Sequence, residues 1–183
     1  MAEGVVAEIG VNHEGSLSKA KDLIYAAWEA GADAAKLQSY TLERYCSPKD
    51  ADRYARLRSF EFSMKDHEDL FGWAAKEGGN LFSTPVTEDW VEYLAAKSGV
   101  IKVASGDSTF WPTLEAAAHS GAKILLSTGA TTVLEMDEII QNLSAVIDPT
   151  ELQQRLILLH CVSSYPASPR EANFGAIRFI RER

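Results

Sequence analysis

The chain is poor in cysteine: Cys46 and Cys161 are the only two in 183 residues, and they form no CxxC. That usage gives no sign of a disulfide framework or a zinc knuckle. Long apolar runs are also missing. No stretch approaches the roughly 18 residues of a membrane span, and the first residues lack the basic start and apolar region of a signal peptide. A cytoplasmic protein with no membrane partner is the expectation. Basic charge is in deficit, with 18 Lys and Arg against 26 Asp and Glu, a net charge of -8 and a pI of about 5.0. Nucleic acid, bound largely through basic surface, is therefore a poor default partner. A small anion held by local lysines is not excluded. No GxGxxG follows the first apolar run and no GxxxxGK(S/T) occurs, which disfavours dinucleotide and P-loop sites. No histidine pair has a spacing such as HxxxH, so the sequence carries no local metal motif and the expected metal ligands are none.

What is present is ordinary globular composition, 46% hydrophobic and 24% charged, enough for one core and one domain over residues 1–183. Short apolar runs at Val5–Gly10, Asp33–Gln38, Leu81–Pro85, 100–105, Lys123–Ser127 and Leu156–Cys161 read as six strands. Between them lie helical patterns. Ser16 caps the first and Gly31 closes it, with Leu17, Ala20, Ile24, Ala27 and Trp28 at helical spacing. Met64–Lys76 follows, with Leu70, Phe71, Trp73 and Ala74 on the inner face, then Glu88–Ser98, Trp111–Ser120 with Pro112 in its first turn, Thr132–Leu143 and a terminal helix near 172–182. Residues 40–63 hold no clean period and read as a long loop with one short helix, their charged run Asp50–Glu61 a solvated surface. Strands alternating with helices indicate an α/β fold with a parallel sheet covered on both faces. Periodicity alone leaves two architectures open: a doubly wound sheet, or part of a β/α barrel.

Glu8, Lys36, Thr84, Lys102 with Ser105, Ser127 and His160 stand at or near the strand C-termini. In both architectures that edge is where ligands bind. Lys102 is the most telling, because an ammonium among Val100, Ile101 and Val103 is costly unless an anion meets it. Two lysines and several hydroxyls suit a phosphate or carboxylate. The plainer reading of each lysine is an ion pair with Glu8 or Asp107; a third is a Schiff-base nucleophile. His13 is either a site residue or the cap of a turn, and His160 either a ligand or a core histidine. His67 and His119 fall on helix faces expected to be exposed.

Six segments, in order, resemble those of the sialic acid synthases: Ala7–Gly15 (AEIGVNHEG), Gly31–Gln38 (GADAAKLQ), Phe82–Pro85 (FSTP), Lys102–Asp107 (KVASGD), Leu126–Gly129 (LSTG) and Leu159–Pro166 (LHCVSSYP). The resemblance implies a (β/α)8 TIM-barrel-type catalytic domain, incomplete here, with about six βα units. It implies a transferase that condenses phosphoenolpyruvate with an N-acylated amino sugar, typically N-acetylmannosamine, to a nine-carbon sialic acid and phosphate. By carry-over, Lys36, Thr84, Lys102, Ser105 and Ser127 hold phosphoenolpyruvate, and Glu8 is the catalytic residue beside the reacting carbons. Asp107 and Tyr165 contact the sugar, and Ser163, where some members have Asn, is a further substrate contact. In the implied mechanism C3 of phosphoenolpyruvate attacks the open-chain aldehyde, water adds at C2 and phosphate leaves.

The family also uses a divalent metal, Mn or Mg, held by histidines on strands seven and eight, and an antifreeze-like C-terminal domain. Neither the histidine motifs nor that domain occurs in these 183 residues, so turnover by this chain alone is not expected. Pseudaminic and legionaminic acid synthases share the donor motifs and stay open, as do a homodimer and a short non-catalytic homologue that only binds a phosphate ligand or a partner.

Overall fold

A strand in a parallel sheet turns alternate residues to opposite faces, and hydrogen-bonded partners on neighbouring strands turn the same way. In the computed structural model, which describes residues 4–182, this rule sorts the chain into a polar concave face and an apolar convex one. The elements run β1 (Val6–Gly10), α1 (Leu17–Glu29), β2 (Ala34–Ser39), α2 (Leu42–Tyr45), α3 (Ala51–Phe60), α4 (Met64–Glu77) and β3 (Leu81–Pro85). A 3-10 turn at Glu88–Trp90 then leads into α5 (Val91–Ser98) and β4 (Val100–Val103). After a second such turn at Ser105–Asp107 come α6 (Trp111–His119), β5 (Lys123–Ser127), α7 (Val133–Val146), α8 (Pro149–Arg155), β6 (Leu156–Leu159) and α9 (Gly175–Glu182).

All five neighbouring pairs are parallel and the strand order is β1-β2-β3-β4-β5-β6. A doubly wound sheet reverses its order at a switch point; this one never does. Sequential winding is that of a β/α barrel, so the sheet is an incomplete (β/α)8-type barrel of six strands.

The convex face carries Leu37, Ile101, Val103, Ile124 and Leu126, each at most 1% exposed, against Leu94, Leu114, Ala117, Ile139 and Leu143 of the helices. Each fully buried Leu or Ile contributes about 1.5–3 kcal/mol. Helix starts are fixed by side-chain caps: Ser16 accepts from Lys19 N–H, and Ser63 with Asp66 and Thr132 with Glu135 form capping boxes. Gly15, at φ +77°, lets the loop after β1 lie against α3; a Cβ there would sit 2.1 Å from the Ser59 carbonyl oxygen.

The structure corrects four expectations. Residues 40–63 hold two helices, α2 and α3, rather than one in a long loop. α3 fully buries none of its residues; Tyr54 and Leu57, three residues apart among charged neighbours, pack partly buried against Tyr40, Leu42 and Cys46. α8, capped by Asp148 with Pro149 in its first turn, is an element that periodicity passes over because it is so short. Coverage of both faces holds for β3, whose five residues are all buried, but not for β1 and β6, where Val6 is 45% and Ile157 40% exposed. His67 is buried, not solvent-facing: its Nε2 lies 2.7 Å from Ser39 Oγ and its Nδ1 3.0 Å from the Ser63 carbonyl. It shares a helix face with Leu70, Phe71 and Ala74, one turn further along.

Candidate anion-binding site

The concave face collects its polar side chains at the strand C-termini. Glu8 comes from β1, Lys36 from β2, Thr84 from β3, Lys102 from β4 and Ser127 from β5; Ser105 and Asp107 follow β4, and Ser163 and Tyr165 follow β6. All nine line one cavity of about 520 Å³. Register accounts for the convergence: Glu8 pairs with Lys36, and Gln38 with Thr84, so these side chains face one way.

Lys36 is buried, with Nζ 2.7 Å from Glu8 Oε2 and 2.8 Å from Thr84 Oγ1, which accepts its hydrogen bond. Glu8 is itself 55% exposed at the side chain and lines the cavity. The ion-pair reading therefore holds for Lys36. It does not hold for Lys102: its Nζ donates to the Val103 carbonyl at 2.7 Å, and among the described residues no carboxylate is in ion-pair contact with it. Burial first, and then the charge of Lys36, lower its pKa to about 8, against weaker opposing pulls from Cys161, Glu8 and Asp107. Asp107 moves the other way, raised by burial and partly restored by Lys102. Lys36 has its carboxylate partner in Glu8, whereas Lys102 and Asp107 line the same cavity without ion-pair contact, which leaves the Lys102 ammonium open to a ligand. An anion in the cavity relieves that ammonium and adds to the field that Lys36 already feels from Glu8.

The hydroxyls are held by main chain. Ser105 Oγ accepts from Gly129 N–H at 3.1 Å, and Ser163 Oγ donates to the Gly129 carbonyl at 2.6 Å. Ser127, buried, receives the Cys161 thiol at 3.3 Å. Ser108 donates to the Ser105 carbonyl at 2.9 Å and lies 2.7 Å from Thr131 Oγ1, tying the turn after β4 to the loop after β5. Tyr165, fully exposed, stands at the rim.

The remaining histidines are structural. His13 is buried, stacked on Phe62 with centroids 3.9 Å apart, and its Nδ1 accepts from Gly15 N–H at 3.1 Å, so it caps the turn. His160 is bonded through Nε2 to the Ala172 carbonyl at 2.7 Å, while His119 is exposed. Three lining residues with polar side chains escaped the sequence reading: Gln38, Tyr45 and Cys161. Gln38 was legible, being two residues beyond Lys36 on the same strand face. Tyr45 sits on α2, within the region read as loop. Among the described residues no three His, Cys, Asp or Glu side chains converge as metal ligands. The residues present thus do not fit the divalent metal of the resemblance. No described helix is long and apolar enough to cross a membrane.

Comparison with known proteins agrees with this geometry. An uncharacterised protein of Methanocaldococcus jannaschii is 36% identical over 97% of the chain and 51% of its own length. The N,N'-diacetyllegionaminic acid synthase of Legionella pneumophila is 32% identical over 97% of the chain and 54% of its own. The chain thus spans about half the length of these curated relatives. The crystal structure of an N-acetylneuraminic acid synthetase from Leptospira borgpetersenii superposes with a TM-score of 0.85 at 33% identity, covering 97% of this chain and 60% of that one. The model of the NeuB family matches residues 23–183, and the chain belongs to that family.

Proposed function

We propose that this chain carries the phosphoenolpyruvate-binding half of a synthase that condenses phosphoenolpyruvate with an N-acylated amino sugar, releasing phosphate and a nine-carbon sugar acid. The observation that carries the reading is Lys102, a half-buried ammonium in the cavity with no carboxylate in contact and Lys36 nearby. A phosphate and a carboxylate on one small molecule match two cations and two hydroxyl-bearing strand ends. The relatives' names support the product class and divide over the acceptor: one is a legionaminic acid synthase and another a sialic acid synthetase.

In this proposal Lys36 and Lys102 bind the two anionic groups, and Ser105 and Ser127 donate to them. Glu8, beside Lys36, stands on the same floor as the reacting carbons, where it orients the water that adds at C2 or takes its proton. Two bonds form, C3 of the enol to the aldehyde carbon and the water oxygen to C2, and the proton lost by the water balances the one gained by the aldehyde oxygen. The bond broken is C2–O, with phosphate leaving from the tetrahedral adduct. Asp107 and Tyr165, towards the rim, meet the hydroxyl-rich acceptor. No step is routed through a metal, because the described residues do not fit one.

Incubation with phosphoenolpyruvate, N-acetylmannosamine and manganese, with free phosphate followed by 31P NMR, tests the division of labour. Binding of phosphoenolpyruvate without phosphate release is expected. Phosphate release by these 183 residues would place the whole reaction within them and overturn the half-site proposal; absence of phosphoenolpyruvate binding would remove the reading altogether.

A further inference from the structure

A serine hydroxyl can donate one hydrogen bond and accept two, so what it offers a ligand depends on what the fold has already taken from it. An amide N–H can only donate and a carbonyl oxygen can only accept. Gly129 makes both kinds of contact. Its N–H points at Ser105 Oγ, so Ser105 must accept there, and its own proton is left for the cavity it lines. The Gly129 carbonyl is met by Ser163 Oγ at 2.6 Å, so Ser163 must donate there and has no proton left for an anion. The two serines therefore present opposite polarity to the same cavity.

Any side chain at residue 129 would be tightly packed. A Cβ on residue 129 would lie 3.0 Å from both Ser105 Oγ and Cys161 Cβ and 3.2 Å from the Cys161 carbonyl oxygen. The loop after β5 is thus tied to the segments after β4 and β6, its Gly129 N–H to Ser105 and its Gly129 carbonyl to Ser163.

We propose that Ser163 is a positioning residue for the donor anion and not one of its ligands: it fixes Gly129, and Gly129 turns the Ser105 proton towards the phosphate or carboxylate. The proposal rests on the phosphoenolpyruvate reading and refines it, since it removes Ser163 from the donor's direct contacts. Any group of the substrate that does reach Ser163 Oγ must be an N–H or O–H, as on an amino sugar, because only lone pairs remain there.

The test is a double-mutant cycle read by calorimetry with phosphoenolpyruvate, together with the amide signal of Gly129 in protein labelled with 15N-glycine. Ser163 is exposed, so its truncation does not threaten the fold. Ser163→Ala should weaken phosphoenolpyruvate binding about five- to tenfold, the scale of one hydrogen bond, and should move the Gly129 amide before any ligand is added. Ser163→Thr, which keeps the hydroxyl, should restore both. In the Ser105→Ala background, adding Ser163→Ala should cost nothing more, because the two act in series. Unchanged binding in Ser163→Ala, or a loss that simply adds to that of Ser105→Ala, would overturn the proposal. Lys102→Met separates this from the larger reading. If it binds phosphoenolpyruvate as well as the wild type does, the anion site itself is wrong; if it fails to bind while Ser163→Ala is normal, only the positioning role falls.

Discussion

Lys102 gives the account its most quantitative consequence. Its pKa of about 8 in the free protein means that about nine-tenths of the molecules carry the charge at pH 7 and about one-tenth at pH 9. A bound anion favours the ammonium and returns its pKa towards the ordinary lysine value, so binding above pH 8 must take up a proton. The sign is fixed: anion affinity falls as pH rises. Between pH 7 and 9 the association constant of phosphoenolpyruvate should drop about tenfold, with nearly one proton taken up per ligand at pH 9. The ligand's phosphate does not interfere, since its second ionisation, near pH 6, is complete in this window. Calorimetry in buffers of different ionisation enthalpy reads the uptake directly. Lys102→Met should bind at least about thirtyfold more weakly at pH 7, the scale for removing one partner of a buried charge pair, and should lose the pH dependence. Flat affinity from pH 7 to 9, or an equal slope in Lys102→Met, would refute the reasoning.

Other consequences concern stability. Arg155 is buried and donates to the carbonyls of Ala117, Ala118 and Ala122 while pairing with Glu151 at 2.6 Å, closing the end of α6. Arg155→Met should lower the free energy of unfolding by about 3 kcal/mol in urea titrations, and Lys at this position should not rescue it, lacking the planar fork. Gly15→Ala drives a methyl into the Ser59 carbonyl at positive φ, so a loss of about 2 kcal/mol or more is expected from the same measurement. His13 has its pKa lowered to about 4 by burial, with smaller contributions from His67 and Lys19, so the folded state disfavours its protonation. The stability this preserves is whole above about pH 6.5 and should fade as pH drops through about 4. His13→Phe should flatten that part of a stability–pH curve, and an unchanged curve would show that other groups govern it.

Much of the site was legible because each strand reads as an apolar run with one polar interruption, and parallel strands carry such residues to a common edge. Lys36 and Lys102 needed no more than that. Hydrophobic period alone left barrel and open sheet undecided, because it reports which face is buried and not which strand lies beside which; the six ordered segments of the resemblance decided it for the barrel. α3 was missed because its packed residues, Tyr54 and Leu57, are only partly buried and lie among charged neighbours, and His67 was misplaced although its spacing to Leu70, Phe71 and Ala74 named its face. The polarity of the hydroxyls was out of reach from sequence: it depends on Gly129, whose contacts with Ser105 and Ser163 span 24 and 34 residues.

The central claim is a place: one anion held between Lys36 and Lys102 at the mouth of the strands. A crystal structure of the protein with phosphoenolpyruvate tests it most directly. The account predicts ligand density in that cavity, with the phosphate and carboxylate within about 2.7–3.2 Å of the two Nζ atoms and Ser105 donating to one of them. An empty cavity at saturating phosphoenolpyruvate, or the ligand seated on another face, would contradict it.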